Sequence, residues 1–141
     1  MFVEIKSPIS TADAVARAIL AADPRPRGGK LALQGFDPEA LAAFARALPG
    51  VPAYWTVGPP LTQDNKPLPY PPQIVDEAVR RGFAGIALLH VSTSDELVAA
   101  ARKADLLVDV WTVNEPAELA HWYERDVRWI ETDRPDLAPH R

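Results

Sequence analysis

The sequence predicts an α/β protein built on a parallel sheet. Short apolar runs rich in β-branched residues alternate strictly with amphipathic helical stretches, the pair recurring about every 20 to 30 residues. Capping or breaking residues punctuate the boundaries, and strict alternation makes each strand cross over through its helix to a parallel neighbour. Two architectures satisfy that pattern. Six strand units suit an open doubly wound sheet, whereas a (β/α)8 barrel needs eight, of which these would be a part. With 141 residues, 48% of them hydrophobic, the chain has material for one core and one domain spanning 1–141.

The first strand lies in FVEIK at 2–6, where Val3 and Ile5 share one face and Glu4 and Lys6 the other. A helix follows over 10–23 with Val15, Ile19 and Leu20 expected inward, and the proline- and glycine-rich stretch at 24–29 breaks it. KLALQGF at 30–36 is the second strand. It runs into Asp37-Pro38-Glu39, with aspartate as helix cap and proline at the first position. That helix places Leu41, Phe44, Ala45 and Leu48 on one face and stops at Pro49-Gly50. PAYWTV at 52–57 forms the third strand.

The aperiodic stretch GPPLTQDNKPLPYPPQ, 58–73, carries six prolines between Pro59 and Pro72 and reads as an extended surface connection within the domain. Next comes a helix at 73–82, its stripe formed by Ile74, Val75, Ala78 and Val79 and its stop by Gly82. The fourth strand is AGIALLH at 84–90, followed by a helix capped at Ser94 that turns Leu97, Val98 and Ala101 inward. LLVDVWTV at 106–113 leads to Asn114 as the expected cap of the helix at 115–126, and VRWIET at 127–132 is the sixth strand.

Composition removes several classes of function. A net charge of -4 without a basic block argues against nucleic-acid binding, and the lack of cysteine excludes disulfides and thiolate chemistry. No apolar run reaches the ~18 residues of a membrane span and no signal peptide precedes the first strand, so the expected compartment is cytoplasmic. GxGxxG, GxxxxGK[ST], GxSxG and HExxH are all absent, and His90, His121 and His140 lack zinc-site spacing.

In parallel α/β proteins the site lies at strand C-terminal ends. There this sequence places Glu4, Lys6, Gln34, Phe36, Trp55, His90, Trp111, Asn114, Thr132 and Asp133.

VDVWTVNEPAELA at 108–120, followed by IETDRPDL at 130–137, resembles the end of the glycerophosphodiester phosphodiesterase family. EIK at 4–6 and LQGFDPEAL at 33–41 match that family's earlier motifs in order. The resemblance implies a TIM barrel, with EIK as its third strand and IETD its eighth. The chain is then a partial barrel equivalent to strands three to eight, with two βα units missing before Met1.

The resemblance implies hydrolysis of glycerophosphodiesters to glycerol 3-phosphate and an alcohol, with calcium or magnesium as cofactor. By the same match Glu4 is a metal ligand, Lys6 faces the phosphate, and Phe36 and Trp111 wall the glycerol pocket.

This chain departs from the pattern by lacking both motif histidines and two metal carboxylates, which the family carries ahead of EIK. Gly35, Arg128 and Trp129 also stand where the family favours other residues. No residue is therefore expected to be catalytic, with His90 the one imidazole that could substitute, and the lone chain is expected not to catalyse the reaction. The alternative is a non-catalytic barrel remnant that binds a phosphate-bearing ligand or a protein partner. The open edges of the first and sixth strands are expected to be covered by a second copy or a partner chain.

Overall fold

The computed structural model describes residues 1–23 and 31–137; the expected break at 24–29 and His140 lie outside them. Six strands form one sheet: β1 (Phe2–Glu4), β2 (Ala32–Gly35), β3 (Ala53–Val57), β4 (Gly85–Leu89), β5 (Leu107–Trp111) and β6 (Trp129–Ile130). Helices α1 (Ala12–Ala22), α2 (Pro38–Ala47), α3 (Gln73–Arg80), α4 (Asp95–Lys103) and α5 (Pro116–Tyr123) connect them. Every neighbouring pair is parallel, and the strand order is β1-β2-β3-β4-β5-β6. A doubly wound sheet reverses its strand order partway, whereas a barrel keeps sequence order. The fold is therefore six strands of a TIM barrel with its helices.

The main core lies between the outer face of the sheet and the helices. Leu33, Ile86, Leu88, Val108 and Val110 pack there with Leu41, Phe44, Ala101, Leu119 and Trp122. Burying each large apolar side chain contributes about 1.5–3 kcal/mol, which holds the helical layer on the sheet.

The opposite parity faces the concave interior. Phe2 meets Tyr54 edge-on at 5.3 Å and Trp129 at 5.8 Å between centroids. Trp129 Nε1 donates to the Tyr54 hydroxyl at 3.3 Å, and Gln34 Nε2 donates to Glu131 Oε1 at 2.7 Å. Residues of the first and last strands thus touch across the interior. The concave sides are not bare, because the sheet curls enough for its own side chains to cover them. Gly85 permits part of this: a Cβ there would stand 2.5 Å from the Leu107 carbonyl and 2.7 Å from the Tyr54 ring.

Local signals settle three of the helix ends. Asp37 Oδ1 accepts from the amides of Glu39 and Ala40, with Pro38 at the first position, and Ser94 Oγ accepts from the Leu97 amide. Gly82 follows α3 at φ 70°, in the left-handed region that glycine tolerates.

Three expectations are corrected. Leu20 and Val79 are exposed, because alanines line the buried stripe of α1 and Ile74, Val75 and Ala78 fill that of α3. Asn114 does not cap α5; its side chain is spent on the segment after β6. The sixth strand, expected over 127–132, pairs only at Trp129–Ile130.

Candidate functional site

The expected site residues stand at the C-terminal ends of the strands. Glu4 closes β1 and Lys6 follows it, their side chains 3.2 Å apart in an ion pair, with Lys6 77% exposed. An exposed pair of this kind is worth about 0–1 kcal/mol, so it separates readily when another charge competes. Phe36 follows β2, and Trp111 ends β5. Seventy-five positions apart in sequence (111 − 36), their rings meet edge-on with centroids 6.0 Å apart. Phe36 also lines a cavity of about 550 Å³ together with Glu4, Lys6, Ser7, Pro8 and Asp37. Glu4, Lys6 and Phe36 are thus gathered at one cavity, with Trp111 against Phe36.

His90 goes elsewhere. It begins a short 3-10 turn after β4, and its Nδ1 lies 3.6 Å from Glu118 Oε2 on α5. The ring is directed toward the helical layer. A second groove of about 500 Å³ also lies in that layer, on α4; two of its cations, Arg125 and Arg102, are paired with Asp95 and Asp126.

Two devices hold the strand ends in place. Asn114 Oδ1 accepts from the Asp133 amide at 2.9 Å and the Thr132 hydroxyl at 3.2 Å, while its Nδ2 donates to Asp133 Oδ2 at 3.0 Å. This clamp ties the end of β5 to the segment after β6. The second device is Tyr70, buried in the proline-rich connection. Its hydroxyl donates to the Val57 carbonyl at 2.5 Å and accepts from the Leu89 amide at 2.9 Å, spanning the ends of β3 and β4. Burial raises the Tyr70 pKa to about 12 against the lowering effect of the Leu89 amide. The rest of that connection forms a small turn, with Leu61 bridged antiparallel to Pro67.

Below the strand ends lies a polar group that the site expectations missed as a whole. Asp109 is fully buried on the concave face, Thr56 is 3% exposed, and Glu131 is half-buried beside Asp109. Among the described residues neither Asp109 oxygen nor Thr56 Oγ1 has a hydrogen bond of good geometry. The Glu131 carboxyl and the Val110 amide nevertheless lie close enough to act on Asp109. Its pKa is raised to about 9, first by burial and then by Glu131, with the Val110 amide opposing. The available signal was an aspartate inside the apolar run LLVDVW, since strands covered on both faces rarely place charge there.

A divalent cation does not fit the strand-end residues alone. Glu4 is a single carboxylate already paired with Lys6, and among the described residues no three His, Cys, Asp or Glu side chains gather to hold a metal. No helix there is long and apolar enough to cross a membrane.

Residues 1–137 match the profile of the glycerophosphoryl diester phosphodiesterase family. No curated protein matches the sequence. Among solved structures, a protein of Silicibacter pomeroyi DSS-3, provisionally named a glycerophosphoryl diester phosphodiesterase, aligns with TM-score 0.74 and 26% identity, over 96% of this chain and 48% of its own. The glycerophosphodiester phosphodiesterase of Parabacteroides distasonis ATCC 8503 aligns at 0.68 with 17% identity, covering 96% and 52%. An Oleispira antarctica phosphodiesterase, solved with the product sn-glycerol-3-phosphate, aligns at 0.71 with 15% identity, covering 94% and 50%. The last two show likeness of fold alone. The chain spans about half the length of these proteins.

Proposed function

Since the chain belongs to the glycerophosphoryl diester phosphodiesterase family, we propose that it serves the hydrolysis of glycerophosphodiesters to glycerol 3-phosphate and an alcohol, its strand ends binding the glycerol phosphate moiety. The observation that carries this reading is the meeting of Phe36 and Trp111 at 6.0 Å, with Phe36 lining the cavity of Glu4 and Lys6. Edge-to-face rings offer an apolar wall to the glycerol carbons and keep water from that side. The Lys6 ammonium, held only by an exposed ion pair, is free to turn to a phosphoryl oxygen. Enzymes of this family are generally dependent on a divalent cation, calcium or magnesium in this proposal, but the strand-end residues described do not complete such a site. No step is assigned to a metal there.

Calorimetric titration with sn-glycerol 3-phosphate tests the binding role. Removing one charge-assisted contact in Lys6→Met is expected to weaken binding roughly 10- to 100-fold. No binding by the parent chain, or equal binding by the variant, overturns the assignment. The same preparations, assayed for glycerophosphocholine hydrolysis with calcium or magnesium, separate a catalyst from a non-catalytic binder of phosphate-bearing ligands. The position of His90, whose Nδ1 lies 3.6 Å from Glu118 on α5 and away from the Glu4–Lys6 cavity, supports the second outcome for the chain on its own.

The outer strands β1 and β6 pair on one side only, and the proposal extends to a second copy or partner chain covering them. Light scattering on the eluting protein is expected to give twice the chain mass. A monomer at micromolar concentration counts against the homodimer.

A further inference from the structure

The proline-rich connection between β3 and α3 takes no part in the glycerol phosphate reading. Within it KPLPYPP, 66–72, spaces Lys66, Pro69 and Pro72 three residues apart. Proline fixes its own φ near about -65°, and a residue that precedes proline is held in the extended region. Lys66, Leu68, Tyr70 and Pro71 each precede a proline. Pro67 is bridged antiparallel to Leu61, and no helical turn interrupts 68–71. The stretch is therefore extended, in the range of polyproline II. Pro72, at φ -61°, still sets its ring in line with that stretch; its ψ of -20° turns only the chain beyond it, into α3.

A polyproline II helix repeats every three residues, about 9 Å along its axis, so it presents three edges. Here they are 67 with 70, 68 with 71, and 66 with 69 and 72. The fold fastens the first edge. Tyr70 is buried, its hydroxyl is shared between the Val57 carbonyl and the Leu89 amide, and its own amide donates to the Ser92 carbonyl at 3.1 Å. The other two edges face solvent: Lys66, Leu68, Pro69, Pro71 and Pro72 are all exposed. Among the described residues the carbonyls of Leu68, Pro69 and Tyr70 accept no backbone amide, and Lys66 is paired with no carboxylate.

We propose that residues 66–72 are a docking motif for a polyproline-binding domain of the SH3 type. Such domains take extended proline-rich segments into aromatic-lined grooves. Leu68-Pro69 and Pro71-Pro72 fill two neighbouring slots, and Lys66, three residues before Pro69, meets a carboxylate pocket beside them. The prolines and the Tyr70 anchor hold the segment in its bound shape beforehand, which lowers the ordering cost of association. The assignment uses neither Lys6 nor Phe36, so it stands apart from the glycerol phosphate reading.

Calorimetric titration of the full chain with an isolated SH3 domain selective for the K-x-x-P-x-x-P pattern tests this. Saturable binding is expected, tighter than that of a free peptide of residues 64–74. Lys66→Glu, a change at an exposed position, is expected to weaken binding at least tenfold through loss of a charge-assisted contact. Pro69→Ala is expected to weaken it about tenfold, through lost apolar contact and lost stiffness. Pro59→Ala, outside the motif, should bind as the parent does. No binding by the parent chain, or weaker binding than by the free peptide, overturns the proposal, since the fold would then be hiding the motif. Equal binding by Lys66→Glu overturns it too. Should Pro69→Ala fail to fold by circular dichroism, Lys66→Glu decides the matter.

Discussion

Asp109→Asn is expected to make the protein markedly more stable at pH 8, with the gain vanishing near pH 4. The carboxyl has an ordinary pKa of 3.8 and one of about 9 in the fold. Between those values the native chain binds a proton that the unfolded chain does not. Stability falls with rising pH wherever the folded state binds more protons. Asp109 therefore costs nothing below about pH 4, and its penalty grows until pH passes about 9. Three pH units at 1.36 kcal/mol each put that penalty on the order of 4 kcal/mol at pH 7. Asparagine removes the titration and can still donate to Glu131. In thermal unfolding, the variant should melt roughly 10 °C above the parent at pH 8. The two should converge as pH falls to 4. Parallel melting curves across that range would show that Asp109 is not held neutral by its surroundings.

Tyr70→Phe should lower stability by about 2–4 kcal/mol, since the Val57 carbonyl and the Leu89 amide both lose the hydroxyl they share. Phenylalanine keeps the ring and its packing, so the loss isolates the two hydrogen bonds. Denaturant unfolding should show a lower midpoint at an unchanged slope. Limited proteolysis should cut faster within 58–72, because the hydroxyl joins that connection to the ends of β3 and β4. An unchanged midpoint would mean that water replaces the hydroxyl without cost.

Much of the fold is legible along the chain because its signals are local. Asp37-Pro38 and Ser94 announce helix starts through side chains that reach amides two or three residues on. Alternating strands and helices force parallel pairing, although they leave the strand order open. Where reading failed, a remote partner was responsible. Asn114 precedes a helix and has the chemistry of a cap, yet Asp133 and Thr132 claim it from the end of the next unit. Leu20 fits a helical stripe by spacing, but the packed side of α1 is made by alanines that bring the helix close.

The candidate site divides in the same way. Glu4, Lys6, Phe36 and Trp111 were proposed from motif resemblance, and each sits at or just after a strand end, where parallel α/β folds place their sites. That Phe36 touches Trp111 and that Glu4 is paired with Lys6 follows from how far the sheet curls, which no local pattern encodes. The same holds for Asp109. Sequence places an acid in an apolar strand, and period two puts it on the face of Trp111. Whether that face is wet or dry depends on residues from β1 and β2 reaching Trp129 and Glu131 across the interior. Backbone propensity and capping act over a few residues and can be read in order. Burial, and with it the charge state of Asp109, is a property of surfaces that meet only once the chain has closed on itself.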